Sequence, residues 1–168
     1  MPHVIQSVRL ASYDTISYHT EMSDTIEELK AGTLHLTDQE FLDAFESGEL
    51  PGTSFHHADH IRLAWIYLLR LGAGASDASA VSIRRYATHL GAAAKYHETI
   101  TRAWMILVAA ADRTSVAQEG SAEAFRAFAA ANPTLFEPNA LAKYYSKNRL
   151  SSEEARSTWL PPDLAPLP

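Results

Sequence analysis

Apolar positions along this chain recur at helical spacings of three and four, and no segment alternates convincingly as a strand. Thr37-Asp38-Gln39-Glu40 is a capping box, with Leu36 and Phe41 placed as a hydrophobic staple. It predicts a helix through Ser47 that buries Phe41, Leu42 and Phe45. Gly48 to Thr53 reads as a turn, after which Thr53 or Ser54 caps a long apolar helix to Leu71, ended by Gly72. Ser76 or Asp77 caps a third helix to Leu90 with Ile83, Tyr86, Ala87 and Leu90 inward, and Gly91 closes it. A fourth runs from near Ala93 to about Asp112.

Beyond the polar loop Arg113 to Gly120, Ser121 caps a fifth helix that turns Phe125 and Phe128 inward and stops at Asn132-Pro133. Asn139 to Lys147 reads as a short helix, and Ser151-Ser152-Glu153-Glu154 is a second capping box leading to Trp159. Leu160 to Pro168 is too rich in proline to be helical and is expected to lie extended. A short helix over Asp24 to Lys30, ended by Gly32, is the remaining element. The expectation is an all-α fold, a compact bundle of five or six helices with an extended Pro-rich C-terminal tail. Residues 1–22 form a poorly structured N-terminal extension ahead of a single helical domain over 23–168, and Met22 is a candidate natural start.

The candidate chemistry sits where two apolar helices begin. Phe55-His56-His57-Ala58-Asp59-His60 opens the long second helix, and Lys95-Tyr96-His97-Glu98 opens the fourth. At about 100° per residue, the second helix has its polar side around Asp59, Arg62 and Arg70, whereas His57 and His60 face its apolar side. His56 falls toward the rim. His97, Thr101, Trp104 and Val108 share one stripe of the fourth helix. Short links make successive helices antiparallel, so the second and fourth run parallel and their first turns share one end.

His57, His60 and His97 therefore form a candidate metal set for zinc, iron, copper, nickel or manganese. Glu98 is the candidate catalytic base or fourth ligand, and His56, Tyr96, Thr101 and Trp104 are candidate pocket residues. Tyr144 and Tyr145 are further candidate donors. The helix N-termini disfavour imidazolium and attract an anionic group on a small molecule. Each residue also has a plainer reading: helix-start histidines cap or pack, Glu98 pairs with Arg102 at i, i+4, and Trp65, Trp104 and Trp159 are core.

Composition narrows the chemistry further. The 168 residues suit one domain with a real core, and 46% hydrophobic with 20% charged is ordinary for a globular protein. Net charge is −6 with Lys and Arg scattered, which speaks against nucleic acid as a partner. The absence of cysteine removes disulfides, thiolate metal sites and a cysteine nucleophile. Arg62 and Arg70 bracket the longest apolar run, and the first residues lack a signal-peptide pattern. A cytoplasmic protein with no membrane partner is expected.

Phe55-x-His57-x-x-His60-Ile61-Arg62-Leu63-Ala64-Trp65, Tyr96-His97-x-Thr99-x-Thr101-x-x-Trp104 and Trp159-x-x-Pro162-Asp163-Leu164-x-Pro166-Leu167 together resemble a family of uncharacterised bacterial all-helical proteins. The resemblance spans the chain from about Phe41 and implies no activity. DinB-type helical proteins also hold three histidines, but there the pair follows the single one, so that likeness is analogy only. The leading functional expectation is a metal-binding helical protein, in its catalytic form a metal-dependent enzyme acting on a small molecule. The alternative is a non-catalytic small-ligand-binding or structural helical module with metal-free, hydrogen-bonded histidines.

Overall fold

The computed structural model describes residues 32–111, 121–137 and 139–168. Its helices are α1 (Asp38–Ser47), α2 (His57–Leu71), α3 (Ala75–His89), α4 (Glu98–Ala110), α5 (Ala122–Ala131) and two short ones, α6 (Lys147–Ser151) and α7 (Glu153–Ser157). No strand occurs among the described residues, so the fold is all-α. None of the described helices is long and apolar enough to cross a membrane. The expected helix over Asp24 to Lys30, the extension 1–22 and the whole loop Arg113 to Gly120 lie outside the described residues.

The capping box of α1 forms as its residues require. The Thr37 hydroxyl accepts the Glu40 N–H at 3.2 Å, and the Glu40 carboxylate accepts the Thr37 N–H at 2.8 Å. Gly48 ends the helix at φ +81°, and a Cβ there would meet the His89 ring at 2.7 Å. At the centre, α2 packs on both α3 and α4. Ile61, Leu63, Ala64, Trp65, Ile66 and Tyr67 are all buried, so α2 is covered nearly all round. Trp65 lies 5.5 Å from the Phe125 ring and 5.9 Å from Phe128, which docks α5 on the core.

Asp59 and Arg62, read as part of the polar side of this helix, are buried, Arg62 to 1% exposure. The turn before α1 folds over that side and supplies acceptors. Arg62 Nη1 donates to the Thr33 carbonyl at 2.7 Å, and Nη2 donates to Leu36 O at 2.8 Å and Asp38 Oδ1 at 2.7 Å. The Thr33 N–H and hydroxyl donate to Asp59. A polar stripe on a helix means solvent only when no other segment brings partners to it.

Other boundaries also shift. α3 starts at Ala75 without a side-chain cap, burying Ser79, Ala80, Ser82 and Tyr86. Leu90 stays 40% exposed, and Ile83 and Ala87 are half-buried. The segment read as one helix over Asn139 to Lys147 is a 3₁₀ turn, Ala140–Lys143, followed by a break at Tyr144 and Tyr145. Ser146 makes that break, because its hydroxyl caps α6 through the Arg149 N–H at 3.1 Å while donating to Asp163 at 2.6 Å. The cap of α7 is Ser152 rather than Ser151. The C-terminal tail is irregular, as its prolines require.

Three variants are expected to differ in urea unfolding. Asp38→Asn removes the charge opposite a buried guanidinium and should cost about 3–5 kcal/mol. Trp65→Ala should cost about 3–5 kcal/mol. Trp65→Phe should cost clearly less, because the Trp65 Nε1–H has no acceptor among the described residues and an unpaired buried donor costs about 1–3 kcal/mol. Equal losses for the two Trp65 variants would mean that the N–H finds a partner in solution.

Candidate functional site

The start of α2 is built by its own histidines rather than by Thr53 or Ser54, which belong to the 3₁₀ turn Gly52–Ser54. His56 is the N-cap residue in extended conformation, and its N–H donates to Asp59 Oδ2 at 2.9 Å. That contact uses the carboxylate already anchored by Thr33. His57 and His60 follow in the first turn. The Leu135 carbonyl lies 2.9 Å from His57 Nε2 and can only accept, so Nε2 carries the proton. The His57 ring also lies 4.6 Å from Trp104 in the second turn of α4.

His60 packs on Phe55 at 4.2 Å, beside the aromatic cluster of Phe45, Phe55 and Tyr86. Burial, followed by the nearby His57 and His56, pushes its imidazole down to about 3. His60 is therefore neutral at ordinary pH.

His97 stands differently. It is the N-cap of α4, whose first helical residue is Glu98. The expected start near Ala93 is instead the 3₁₀ turn Ala93–Lys95. His97 Nδ1 accepts the Ile100 N–H at 3.2 Å, while Nε2 donates to the Leu150 carbonyl at 2.8 Å. Both ring nitrogens are thus engaged in one neutral tautomer. Burial holds the His97 pKa below its ordinary value and the Arg156 charge adds to that, against the Leu150 carbonyl, which favours the protonated ring. The structure places His56 and His57 within electrostatic range of His60 and turns His97 toward the C-terminal segment. Among the described residues, no group of three or more His, Asp or Glu side chains is placed to hold a metal ion.

Glu98 is buried and fully engaged. Tyr96 donates to its carboxylate, Arg84 Nη2 donates at 2.9 Å, and Arg102 Nε donates as the i, i+4 spacing suggested. Burial raises the Glu98 pKa, but these donors and the two guanidinium charges outweigh it and hold the carboxyl below its usual range. A carboxylate so stabilised is a poor proton acceptor. Tyr96 is itself buried under Arg84, whose guanidinium lies 4.7 Å from the ring. Thr101 and Trp104 are half-buried on α4.

The residue that sequence reasoning left without a role is Thr99, which is fully buried. Its hydroxyl donates to the Thr158 carbonyl at 2.7 Å and accepts the Leu160 N–H at 3.0 Å. Its position two residues after His97 was the available signal. Tyr145 is buried and donates to Leu160 O at 3.1 Å, whereas Tyr144 is half-buried. Set against family models, curated proteins and solved structures, the chain matches none.

The histidines set the sign of the pH dependence. His60 and His97 have folded pKa values below the unfolded value of about 6.5, so the unfolded chain binds more protons. Their contribution is complete above that pH and is lost as pH falls toward the folded values. Between pH 6.5 and 4.5, the unfolding free energy should fall by up to about 1.4 kcal/mol per unit for each such histidine. His60→Asn should flatten the profile by about one proton. An unchanged slope in that variant would show that His60 titrates normally.

Proposed function

We propose that this chain is a non-catalytic structural helical module whose histidines are metal-free joints between helix starts and the C-terminal half. The observation that carries this reading is His97. With Nδ1 accepting an amide proton and Nε2–H given to a carbonyl, it has no lone pair left for a metal. Glu98 supports the same reading, because Tyr96 and two guanidiniums occupy it. The His57 contact to Leu135 repeats the pattern at the other helix start.

A second reading, metal or small-molecule binding at the start of α2, is favoured by His60 alone. Its imidazole stays neutral down to about pH 3 and stands one turn from His57.

Metal analysis of tag-free protein separates the two. The structural reading expects no stoichiometric zinc, iron, copper, nickel or manganese, and a melting temperature unmoved by chelator or added zinc. His97→Ala should then lower stability by about 1 kcal/mol or more, as loss of an N-cap does. Stoichiometric metal lost in both His57→Ala and His60→Ala would replace this reading with the second one.

A further inference from the structure

Residues Tyr144 to Leu164 are clamped chiefly on themselves. Ser146 N–H and Oγ bind Asp163 at 2.8 and 2.6 Å, the Leu164 N–H donates to Tyr144 O at 3.0 Å, and Tyr145 donates to Leu160 O at 3.1 Å. Among the described residues, hydrogen bonds that involve a side chain and tie this segment to the rest of the molecule converge on one short stretch at the start of α4. His97 binds Leu150 O, Thr99 binds Thr158 O and the Leu160 N–H, and Arg156 Nη1 donates to Ala94 O at 3.2 Å. Apolar cover comes from Tyr145, Ala155 and the half-buried Trp159 and Leu167.

From this convergence we infer that His97 is an acid-operated latch: its protonation undocks the C-terminal segment, Tyr144 to Pro168, from the start of α4. The inference rests on the structural reading of His97 given above. A proton on Nδ1 would face the Ile100 N–H, setting donor against donor. It would also place a cation on the positive end of α4 and opposite Arg156, the charged group that faces it from α7. From α6, the Leu150 carbonyl accepts from Nε2 and favours the cation, so the force against it comes from burial, the Ile100 N–H, the helix end and Arg156. On its own helix, Glu98 is turned to Tyr96, Arg84 and Arg102, and Lys95 in the preceding turn is exposed. The ring relieves the conflict by leaving its cap, and the Leu150 bond leaves with it. The segment then keeps its internal clamp and loses its first tie.

Hydrogen exchange read by mass spectrometry on the full chain tests the latch from pH 7.5 to 5, corrected for intrinsic rates. Peptides from 147–168 should lose protection about tenfold or more beyond the loss in α2 peptides over 61–67, whose protection falls only as far as the global stability set by His60 does. His97→Asn should abolish that step, because Asn caps the helix without titrating. In wild type, the ¹⁵N shifts of His97 should report the Nε2–H tautomer at pH 7.5 and titrate with the same midpoint as the loss of protection. Any one of three results overturns the latch. They are protection lost in step with α2, an acid step retained in His97→Asn, or a His97 titration displaced from the exchange midpoint. Metal bound at His97 would overturn the structural reading instead, and the metal analysis above detects it separately. Should His97→Asn not fold, the midpoint comparison in wild type decides alone.

Discussion

A buried guanidinium governs how this fold is put together. Taking Arg62 out of water costs several kcal/mol unless every donor finds a partner, so its acceptors have to come to it. Asp38, the first residue of α1, provides the charge, and the carbonyls of Thr33 and Leu36 provide the remaining acceptors. Phe41 closes the group with its ring 4.9 Å from the guanidinium. This requirement pins the turn before α1 and the start of α1 across the face of α2. Thr33 extends the arrangement to Asp59, and Asp59 holds the His56 N–H. The place where α2 begins, and with it the direction of His57 and His60, is therefore set by a network centred on one arginine.

The same economy of polar groups explains the two histidine-bearing helix starts. A helix leaves its first N–H groups without intrahelical acceptors, and a helix buried at that end must satisfy them locally. At α4 an imidazole nitrogen does so, and its other nitrogen is spent on a carbonyl from α6. At α2 an acidic side chain reaches back to the cap, and His57 joins the 3₁₀ turn Pro133–Phe136 through Leu135. Imidazole suits both positions because it offers one donor and one acceptor while remaining neutral near pH 7. In this arrangement the histidines hold distant parts of the chain together, and their coordinating capacity is used up in doing so at His97.

Glu98 shows how distant partners change the chemistry of a residue. Its pairing with Arg102 follows from helical spacing alone. Arg84 comes from α3 and Tyr96 from the turn before α4, and together they convert a candidate base into a stabilised anion. The charge it carries is neutralised from two helices, which also ties α3 to α4 beneath the exposed edge of the bundle.

What the sequence determined by itself is what depends on neighbours along the chain. Periodicity placed the helices, the Thr37 box and Ser121 set two of their starts, and the prolines after Leu160 excluded regular structure from the tail. The i, i+3 relation of His57 and His60 was legible for the same reason. The fates of Asp59, Arg62, His97 and Thr99 were not. Each is decided by a partner 24 or more residues away: Asp38 and Thr33 for Arg62, Thr33 for Asp59, Leu150 for His97, Thr158 and Leu160 for Thr99. Only the tertiary structure decides such cases. A polar side chain shows the same helical phase whether water or a buried partner satisfies it, and the cost of burial selects between them only once the distant segment has arrived.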